Sequence, residues 1–593
     1  MTTIKKDPKW IKTGYDALLK KFSSDEFTFD EAKEFLPKNT TIKQSVIANL
    51  LSELHQRNLL KITNDPDDAR KKRYQMIPFD EHVASLLEPE DDNLTREELE
   101  RLLKRAADLI RTRVDYKFIL IPLFLKRISD KWESEFASAK ADALSDGYSE
   151  EEAEAEAAKK TYHTFDLPQD LLWNNIRKAG QNLPVVFSRA LKEVGERNPE
   201  LQVIFSSADF GEFTRNQESA VILEKLVELF SEKTLADVSP DILGDAYEWI
   251  LRYFAPQKAK EGEVYTPREV IRILVQAISP EPGMSVYDPA CASCGMLIEA
   301  YNYLKDKGGC SEADKLLLYG QEVNEKTLGL GKMNMYIHNI QNVNLEIGDT
   351  LLYPKFKVGG DLRKFDRLVA NPPWNQDGYD EDALRKGDGS VSQRFCYGWV
   401  NHDSADWAWI QYLLYSCKDD GKAAIVLDTG ALFRGGKEGG IRRAILEDDL
   451  LEAVVLTPEK LFYNTTAAGA LLFFNRKKPE SRKGKVLFVN ASGLFIKHPD
   501  VRKLNSMSAE QISHVSSAVS EFREEKDVSR IMSFDEIAAQ DFNLNVTLYV
   551  APEVVVEEVN LSETWKELKE VEKRLADSEA KLEECLKEMG VEL

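Results

Sequence analysis

The chain has 593 residues, 43% of them hydrophobic, and a formal net charge of −22, enough apolar material for several packed cores and three or four domains. Such acidity argues against a chain that grips DNA alone, because Lys and Arg contacts to phosphate supply much of that affinity, so a partner is expected to bring it. Six cysteines, no signal peptide and no long apolar span point to a reducing cytoplasm and to no membrane attachment.

From the start of the chain, segments 15–22, 29–36 and 42–58 predict three helices. Leu59-Leu60-Lys61-Ile62, a charged turn and Arg73-Tyr74-Gln75-Met76-Ile77 then predict two strands. That order suggests a winged-helix-like domain over residues 1–88, whose third helix can enter a major groove. Lys43, Arg57, Arg70, Lys71, Lys72 and Arg73 are candidate phosphate contacts, diluted by Asp65, Asp67 and Asp68, which leaves DNA contact and protein contact both open. Residues 93–255 predict a helical domain from periodic segments at 218–232 and 240–254 and from the apolar stretch 118–132. That stretch is too short and too charged at its end for a membrane span. The acidic, alanine-rich run 150–160 is a solvated helix face.

Residues 256–500 carry the chemistry. Met284-Ser285-Val286-Tyr287 predicts a strand running into Asp288-Pro289-Ala290-Cys291-Ala292-Ser293-Cys294-Gly295, after which Met296 to Ala300 open a helix. In a doubly wound sheet such a loop lies at the carboxyl ends of the strands, where a nucleotide-like cofactor approaches the backbone. A second strand, Leu316-Leu317-Leu318-Tyr319-Gly320-Gln321-Glu322, ends in an acid suited to a ribose diol, and Asp349 follows a third strand where it can accept from an adenine amine. Cys291 and Cys294 form a Cys-x-x-Cys, but Cys310, Cys396, Cys417 and Cys585 supply no second pair at ligand spacing, so no metal is expected.

Asn371-Pro372-Pro373-Trp374 stands where the strand Phe365-Asp366-Arg367-Leu368-Val369-Ala370 ends. The Asn side-chain oxygen and the Pro372 carbonyl can both accept from an exocyclic amine, with the prolines fixing the backbone. Trp374 offers a flat face for an extruded base, worth about 1 to 3 kcal/mol per base. The implied substrate is adenine N6 or a similar planar amine; the bland alternative is a strand-ending turn. The long segment 375–406, with Arg385, Lys386, Arg394 and Phe395, is a lid over a flipped base or a surface insert. Arg434-Gly435-Gly436-Lys437-Glu438-Gly439-Gly440-Ile441-Arg442-Arg443 is a mobile phosphate contact or a flexible connection. Fewer than 100 residues follow position 500, too few for a target-recognition domain. After an extension at 501–557, Leu561, Leu568, Val571, Leu575, Leu582 and Met589 predict a coiled-coil helix of about four heptads over 558–593, the bland alternative being an amphipathic helix lying on its own domain.

The order of Gly262-Glu263-Val264-Tyr265-Thr266-Pro267, the Asp-Pro-Ala-Cys loop and Asn-Pro-Pro-Trp resembles the N6-adenine DNA methyltransferases that use S-adenosylmethionine. Leu461-Phe462-Tyr463-Asn464-Thr465 and Asp541-Phe542-Asn543-Leu544-Asn545 add to it. Above all, residues 95–593 resemble the modification subunit of type I restriction-modification systems. The resemblance implies an α/β, Rossmann-like S-adenosylmethionine-dependent methyltransferase domain, preceded by the helical and winged-helix-like domains and followed by the coiled-coil helix. It implies a cofactor site of Glu263, Val264, Tyr265, Thr266, Pro267 and Arg268, the loop residues Asp288, Pro289, Ala290, Ala292, Ser293, Cys294 and Gly295, and Glu322 and Asp349. It gives Asn371, Pro372, Pro373 and Trp374 the catalytic role, without a metal. Implied partners are double-stranded DNA, a specificity subunit on the C-terminal helix, a second modification subunit and restriction subunits, all in a prokaryotic cytoplasm. The family loop carries glycines where this chain has Ala292 and Cys294, residues less suited to positive φ. Two alternatives follow: a catalytically weak assembly subunit, and an enzyme that methylates glutamine in a protein.

Overall fold

The computed structural model of the chain describes residues 9–551 and 565–578, apart from 23–25, 41, 57–59, 65–71, 77–93, 111–115, 207–209, 211–216, 259–265, 341, 389–390, 464, 499–500, 502, 567 and 577. It divides into two compact units, Met1–Leu94 and Thr95–Leu593.

The first unit contains α1 (Lys9–Phe22), β1 (Glu26–Thr28), α2 (Phe29–Asn39), α3 (Ile47–Gln56), β2 (Leu60–Asn64) and β3 (Lys72–Met76). Thr28 starts α2 with a capping box, its side chain and that of Glu31 satisfying each other's backbone N–H. Leu18, Phe27, Leu36, Leu50, Leu54 and Leu60 form its core. β3 pairs antiparallel with both β1 and β2. Strand β1 was not expected from the sequence, because three residues are too few to display a period of two. Of the candidate phosphate contacts, Arg57, Arg70 and Lys71 lie outside the described residues.

The second unit opens with helices, among them α4 (Arg96–Ile110), α5 (Lys117–Ser145), α6 (Gln217–Phe230) and α7 (Pro240–Lys258). The first half of α5 is apolar all round and buried from Lys117 to Lys126, as a helix enclosed by others must be. α7 joins this layer to the sheet-bearing part: the Tyr247 hydroxyl donates to the Leu330 carbonyl at 2.8 Å, and Gly244 lies against His338. A Cβ on Gly244 would come 2.1 Å from the buried imidazole. Gly244→Ala should therefore destabilise the chain by about 1 to 2 kcal/mol, because overpacking of about 1 to 3 kcal/mol outweighs the gain in helix propensity. Thermal denaturation checks this; a stabilised variant would mean that the ring moves aside freely.

The remainder is a nine-stranded mixed sheet. Its elements in chain order are α8 (Arg268–Ile278), β4 (Ser285–Asp288), α9 (Gly295–Gly308), β5 (Leu317–Glu322), α10 (Glu325–Ile337), β6 (Val343–Ile347), β7 (Phe365–Ala370), α11 (Asp406–Ser416), β8 (Cys417–Asp428), α12 (Gly436–Glu447), β9 (Leu451–Leu456), β10 (Gly469–Asn475), β11 (Lys485–Asn490), α13 (Ala509–Glu521) and β12 (Ser529–Ser533). The spatial order is β12-β11-β9-β10-β8-β7-β4-β5-β6. Strands β8, β7, β4, β5 and β6 run parallel, and β10 is antiparallel to both β8 and β9. Period-2 alternation sends Leu368, Ala370, Ile425 and Leu427 into one core and Val369, Ala424 and Val426 into the other, so helices cover both faces. The chain leaves β4 for β5 on one side and later returns to β7 on the other. This switch opens a crevice at the carboxyl ends of the strands, where ligands of such sheets bind.

The expected boundary at residue 500 needs correction. β12 pairs antiparallel with β11, from Lys485↔Ser533 to Val489↔Ser529, and α13 buries Ile512, Val515 and Val519 in the same core as Val270 and Leu274 of α8. The described part of the extension, residues 503–551, therefore completes the sheet and one helical layer, a long-range pairing that local patterning does not reveal. Farther on, Trp565, Leu568, Val571 and Leu575 are helical and exposed, while Leu561, Leu582 and Met589 lie outside the described residues. Among the described residues no helix is long and apolar enough to cross a membrane.

Candidate active site

Strand β4 ends in Asp288, and the loop to α9 turns sharply through Ala292 (φ 43°) and Cys294 (φ 63°). A side-chain-bearing residue in this region costs about 1 to 3 kcal/mol and persists only when its surroundings hold it. They do: the Ala292 N–H donates to Glu322 Oε2 at 3.1 Å, the Cys291 N–H to the Gln321 carbonyl at 3.1 Å, and Asn334 Nδ2 to the Ser293 carbonyl at 2.9 Å. Helix α10 fits beneath the loop because position 331 is glycine. A Cβ there would stand 2.8 Å from the Ala292 oxygen and 2.7 Å from Cys294 Sγ. The loop thus follows a glycine-like path without the expected glycines.

Asp288 is buried and accepts the Ala290 N–H at 3.0 Å. Burial pushes its carboxyl up to about 8; the Ala290 N–H opposes that rise and the nearby Glu322 charge adds to it. An unfolded Asp titrates near 3.9, so the folded value is the higher one. Stability from this group is then complete below about pH 4 and is lost as pH rises to about 8, by up to about 1.4 kcal/mol per pH unit. Asp288→Asn carries no such loss. Its melting temperature relative to the parent should rise from pH 5 to pH 8 and level off above; a difference independent of pH would contradict a protonated Asp288.

A cavity of about 290 Å³ occupies the crevice. Pro289, Ala290, Ala292 and Ser293 of the loop, Glu322 at the end of β5 and Asn324 after it, Gly348, Asp349 and Thr350 after β6, and Asn371 and Pro373 after β7 line it. The Glu322 carboxylate also accepts the Asn324 N–H at 2.8 Å. Asp349 accepts the Leu352 N–H at 3.0 Å and the Tyr379 hydroxyl at 2.7 Å. A smaller recess of about 30 Å³ adjoins it, bounded by Thr266, Asp288, Ala290, Ala292, Ser293, Gly295 and Asn371. Asn371 faces both spaces. Its Nδ2 donates to Thr266 Oγ1 at 2.7 Å, and its Oδ1 accepts the Trp374 indole N–H at 3.0 Å, which fixes the orientation of the amide. The Trp374 ring meets Phe462 edge-on, with centroids 4.9 Å apart.

The turn after Trp374 is anchored as firmly. Asn375 (φ 53°) donates its N–H to the buried Asp406 at 3.0 Å, and Arg434 bridges Asp406 at 2.7 Å, Asn375 at 2.6 Å and Ser404 at 2.8 Å. Two arginines of the glycine-rich segment are therefore not free for phosphate, since Arg442 is buried and donates to the Phe542 and Arg434 carbonyls at 2.8 and 2.9 Å, whereas Arg443 is exposed beside Glu447 at 2.7 Å. In the supposed lid, Arg394 is buried on the Leu351 carbonyl and Asp388, and Leu384 and Phe395 are core residues.

The structure brings together Thr266, the loop residues Asp288, Pro289, Ala290, Ala292, Ser293 and Gly295, Glu322, Asp349, Asn371 and Pro373. Pro267 caps α8, Cys294 is buried under the loop, and Pro372 is buried. Arg268 turns away from the cavity to Asp245 at 2.9 Å and Glu248 at 3.0 Å, tying α8 to α7. Glu263, Val264 and Tyr265 lie outside the described residues. Sequence reasoning missed Gln376, Tyr379 and Trp409 on one wall, and Tyr116 and Leu251 from the helical region. Only the aromatic content of 375–409 signalled the first group, and nothing local signalled the second.

Comparison with known proteins agrees along most of the chain. Residues 238–558 match the model of the N-6 DNA methylase family, and residues 99–230 that of the HsdM N-terminal domain. The MjaVII methylase subunit, a type I restriction enzyme subunit of Methanocaldococcus jannaschii, is 41% identical over 577 residues, 95% of each chain. The MpnII methylase subunit of Mycoplasma pneumoniae is 25% identical over 544 residues, 84% of this chain and 97% of its own. Among solved structures, the type I restriction-modification methyltransferase subunit from Streptococcus thermophilus superposes with a TM-score of 0.65 at 25% identity, over 77% of this chain and 100% of that one.

Proposed function

The chain belongs to the N-6 DNA methylase family as a type I restriction-modification methylase subunit that methylates adenine N6 in DNA, and from that premise we propose how its site works. S-adenosylmethionine occupies the crevice, with its methionine end in the recess beside Thr266 and the 288–295 loop, its ribose at Glu322 and its adenine at Asp349. The glycine-like loop path, the room left by Gly331 and the two carboxylates at the strand ends support the fit. Bound there, the cofactor supplies an electrophilic methyl group on a positively charged sulfur.

The chain's part is to hold the target amine. A base in a duplex must be extruded to reach the crevice, and the half-buried Trp374, braced edge-on by the buried Phe462, is the aromatic ring beside Asn371 on which it stacks. Asn371 Oδ1 and the Pro372 carbonyl accept the two amine hydrogens, drawing the N6 lone pair out of conjugation and turning it toward the methyl group. A carbonyl oxygen has two lone pairs, so Asn371 serves the substrate while Trp374 holds the other. The position of Asn371 on the wall shared by cavity and recess carries this reading. Alignment of this kind is worth about 7 to 11 kcal/mol in well-oriented reactions.

The acidic chain draws its DNA affinity from a specificity subunit, and the exposed stripe Trp565, Leu568, Val571 and Leu575 is the apolar face that subunit covers. A second modification subunit and restriction subunits complete the assembly in a prokaryotic cytoplasm. The test is to copurify the chain with its specificity subunit, supply unmethylated duplex DNA and S-adenosylmethionine, and assay the digested DNA by mass spectrometry. N6-methyladenine is expected. Cofactor binding without transfer would favour an assembly role, and methylglutamine in a protein would favour the amide-methylating alternative.

A further inference from the structure

The turn that follows the target-binding motif ends on the cofactor side of the cavity. Gly378 (φ 84°) donates its N–H to the His402 carbonyl at 2.8 Å, a conformation that suits glycine, and the turn carries the half-buried Tyr379 over Asp349. There the phenol donates to Oδ2 at 2.7 Å while the Leu352 N–H holds Oδ1 at 3.0 Å. Burial and the Asp349 carboxylate both push the phenol above its ordinary value, so it remains a donor. The hydroxyl is placed in turn by Gln376, whose Nε2 reaches it at 3.5 Å and whose Oε1 accepts the Trp409 indole N–H at 3.3 Å. One donor on each oxygen leaves one lone pair free on each and stops the carboxylate from rotating. A carboxylate held in this way accepts from an amine and repels a carbonyl.

We propose that Tyr379 is a positioning residue for the cofactor's nucleobase, fixing Asp349 so that the site selects a purine with a 6-amino group over one with a 6-oxo group. This rests on the reading that the cavity holds S-adenosylmethionine. It also means that a single loop, 371–379, holds the target amine at one end and, through Asp349, orients the cofactor base at the other.

The test uses the full chain and calorimetric titration with S-adenosylhomocysteine and its 6-oxo counterpart, S-inosylhomocysteine. The parent should prefer the adenosyl compound by about tenfold or more, and Tyr379→Phe should lower that preference by about three- to tenfold, the worth of one hydrogen bond. Asp349→Asn should erase or invert the preference, because an amide can donate to the 6-oxo group, and adding Tyr379→Phe to it should change nothing further. Undiminished preference in Tyr379→Phe, or effects that add in the double variant, would overturn the proposal. A parent chain that binds neither compound would overturn the cofactor reading, and the proposal with it.

Discussion

Asn371→Ala should lower methyl transfer at saturating cofactor by a factor of about 10² to 10³, as loss of a preorganised group in a reaction centre does, while S-adenosylmethionine affinity changes little. The side chain removed is the one whose amide is fixed from both ends, by Thr266 Oγ1 at 2.7 Å and by the Trp374 indole at 3.0 Å. Its loss leaves the Pro372 carbonyl as sole acceptor of the amine and frees the lone pair to return to conjugation. Thr266→Ala separates the two roles, because it keeps the acceptor and removes one of the bonds that aim it. A single such bond is worth about 1 kcal/mol, so that variant should lose about five- to tenfold in turnover. Single-turnover kinetics with a specificity partner and DNA, beside calorimetric cofactor titration, checks both. If Asn371→Ala instead abolished cofactor binding while Thr266→Ala did not, Asn371 would belong to the cofactor site rather than to the target.

What the sequence made legible was the part of the site carried by local pattern. A strand that ends in a carboxylate, a small-residue loop and a strand that ends in Asn-Pro-Pro each declare themselves within a few residues, and the sheet brings all three to one crevice. Residues brought in by long-range packing stayed hidden. Tyr116 and Leu251 reach the cavity from the helical region, and β12 joins β11 across an intervening helix; neither has a local signature. Charge misled in a consistent way. Arg268 was read as a cofactor contact, Arg394 as part of a lid or surface insert, and Arg434 and Arg442 as part of a phosphate contact or flexible connection, yet each is spent on a neighbouring carboxylate or carbonyl. In a chain with 101 acidic residues against 79 Lys and Arg, an arginine beside the core finds an internal partner readily. The Ala292 and Cys294 departure leaves the loop path glycine-like, because the conformation glycine adopts freely is enforced here by Glu322, Gln321 and Asn334.

Glu322→Ala should weaken S-adenosylmethionine binding by about 10² or more, because this carboxylate holds the loop and, in the proposed site, also receives the ribose. Its Oε2 accepts the Ala292 N–H at 3.1 Å and its Oε1 the Asn324 N–H at 2.8 Å. Removal strips two backbone donors of their partner, at about 1 to 3 kcal/mol each where water does not replace it. It also unties a residue whose left-handed backbone stores about 1 to 3 kcal/mol of strain. Ala292 should then relax, and with it the wall on which the cofactor lies. Glu322→Gln divides the two effects: its amide oxygen keeps one N–H, but its amino group faces the other, donor against donor, so affinity should fall between parent and alanine variant. Calorimetric titration beside thermal denaturation reads the outcome. Weak binding with an unchanged melting temperature would assign the carboxylate chiefly to the ribose, and a parallel fall in both would assign it chiefly to the loop. Unaltered binding in Glu322→Ala would remove the end of β5 from the cofactor site altogether, and with it the account of how a loop without the family glycines still receives the cofactor.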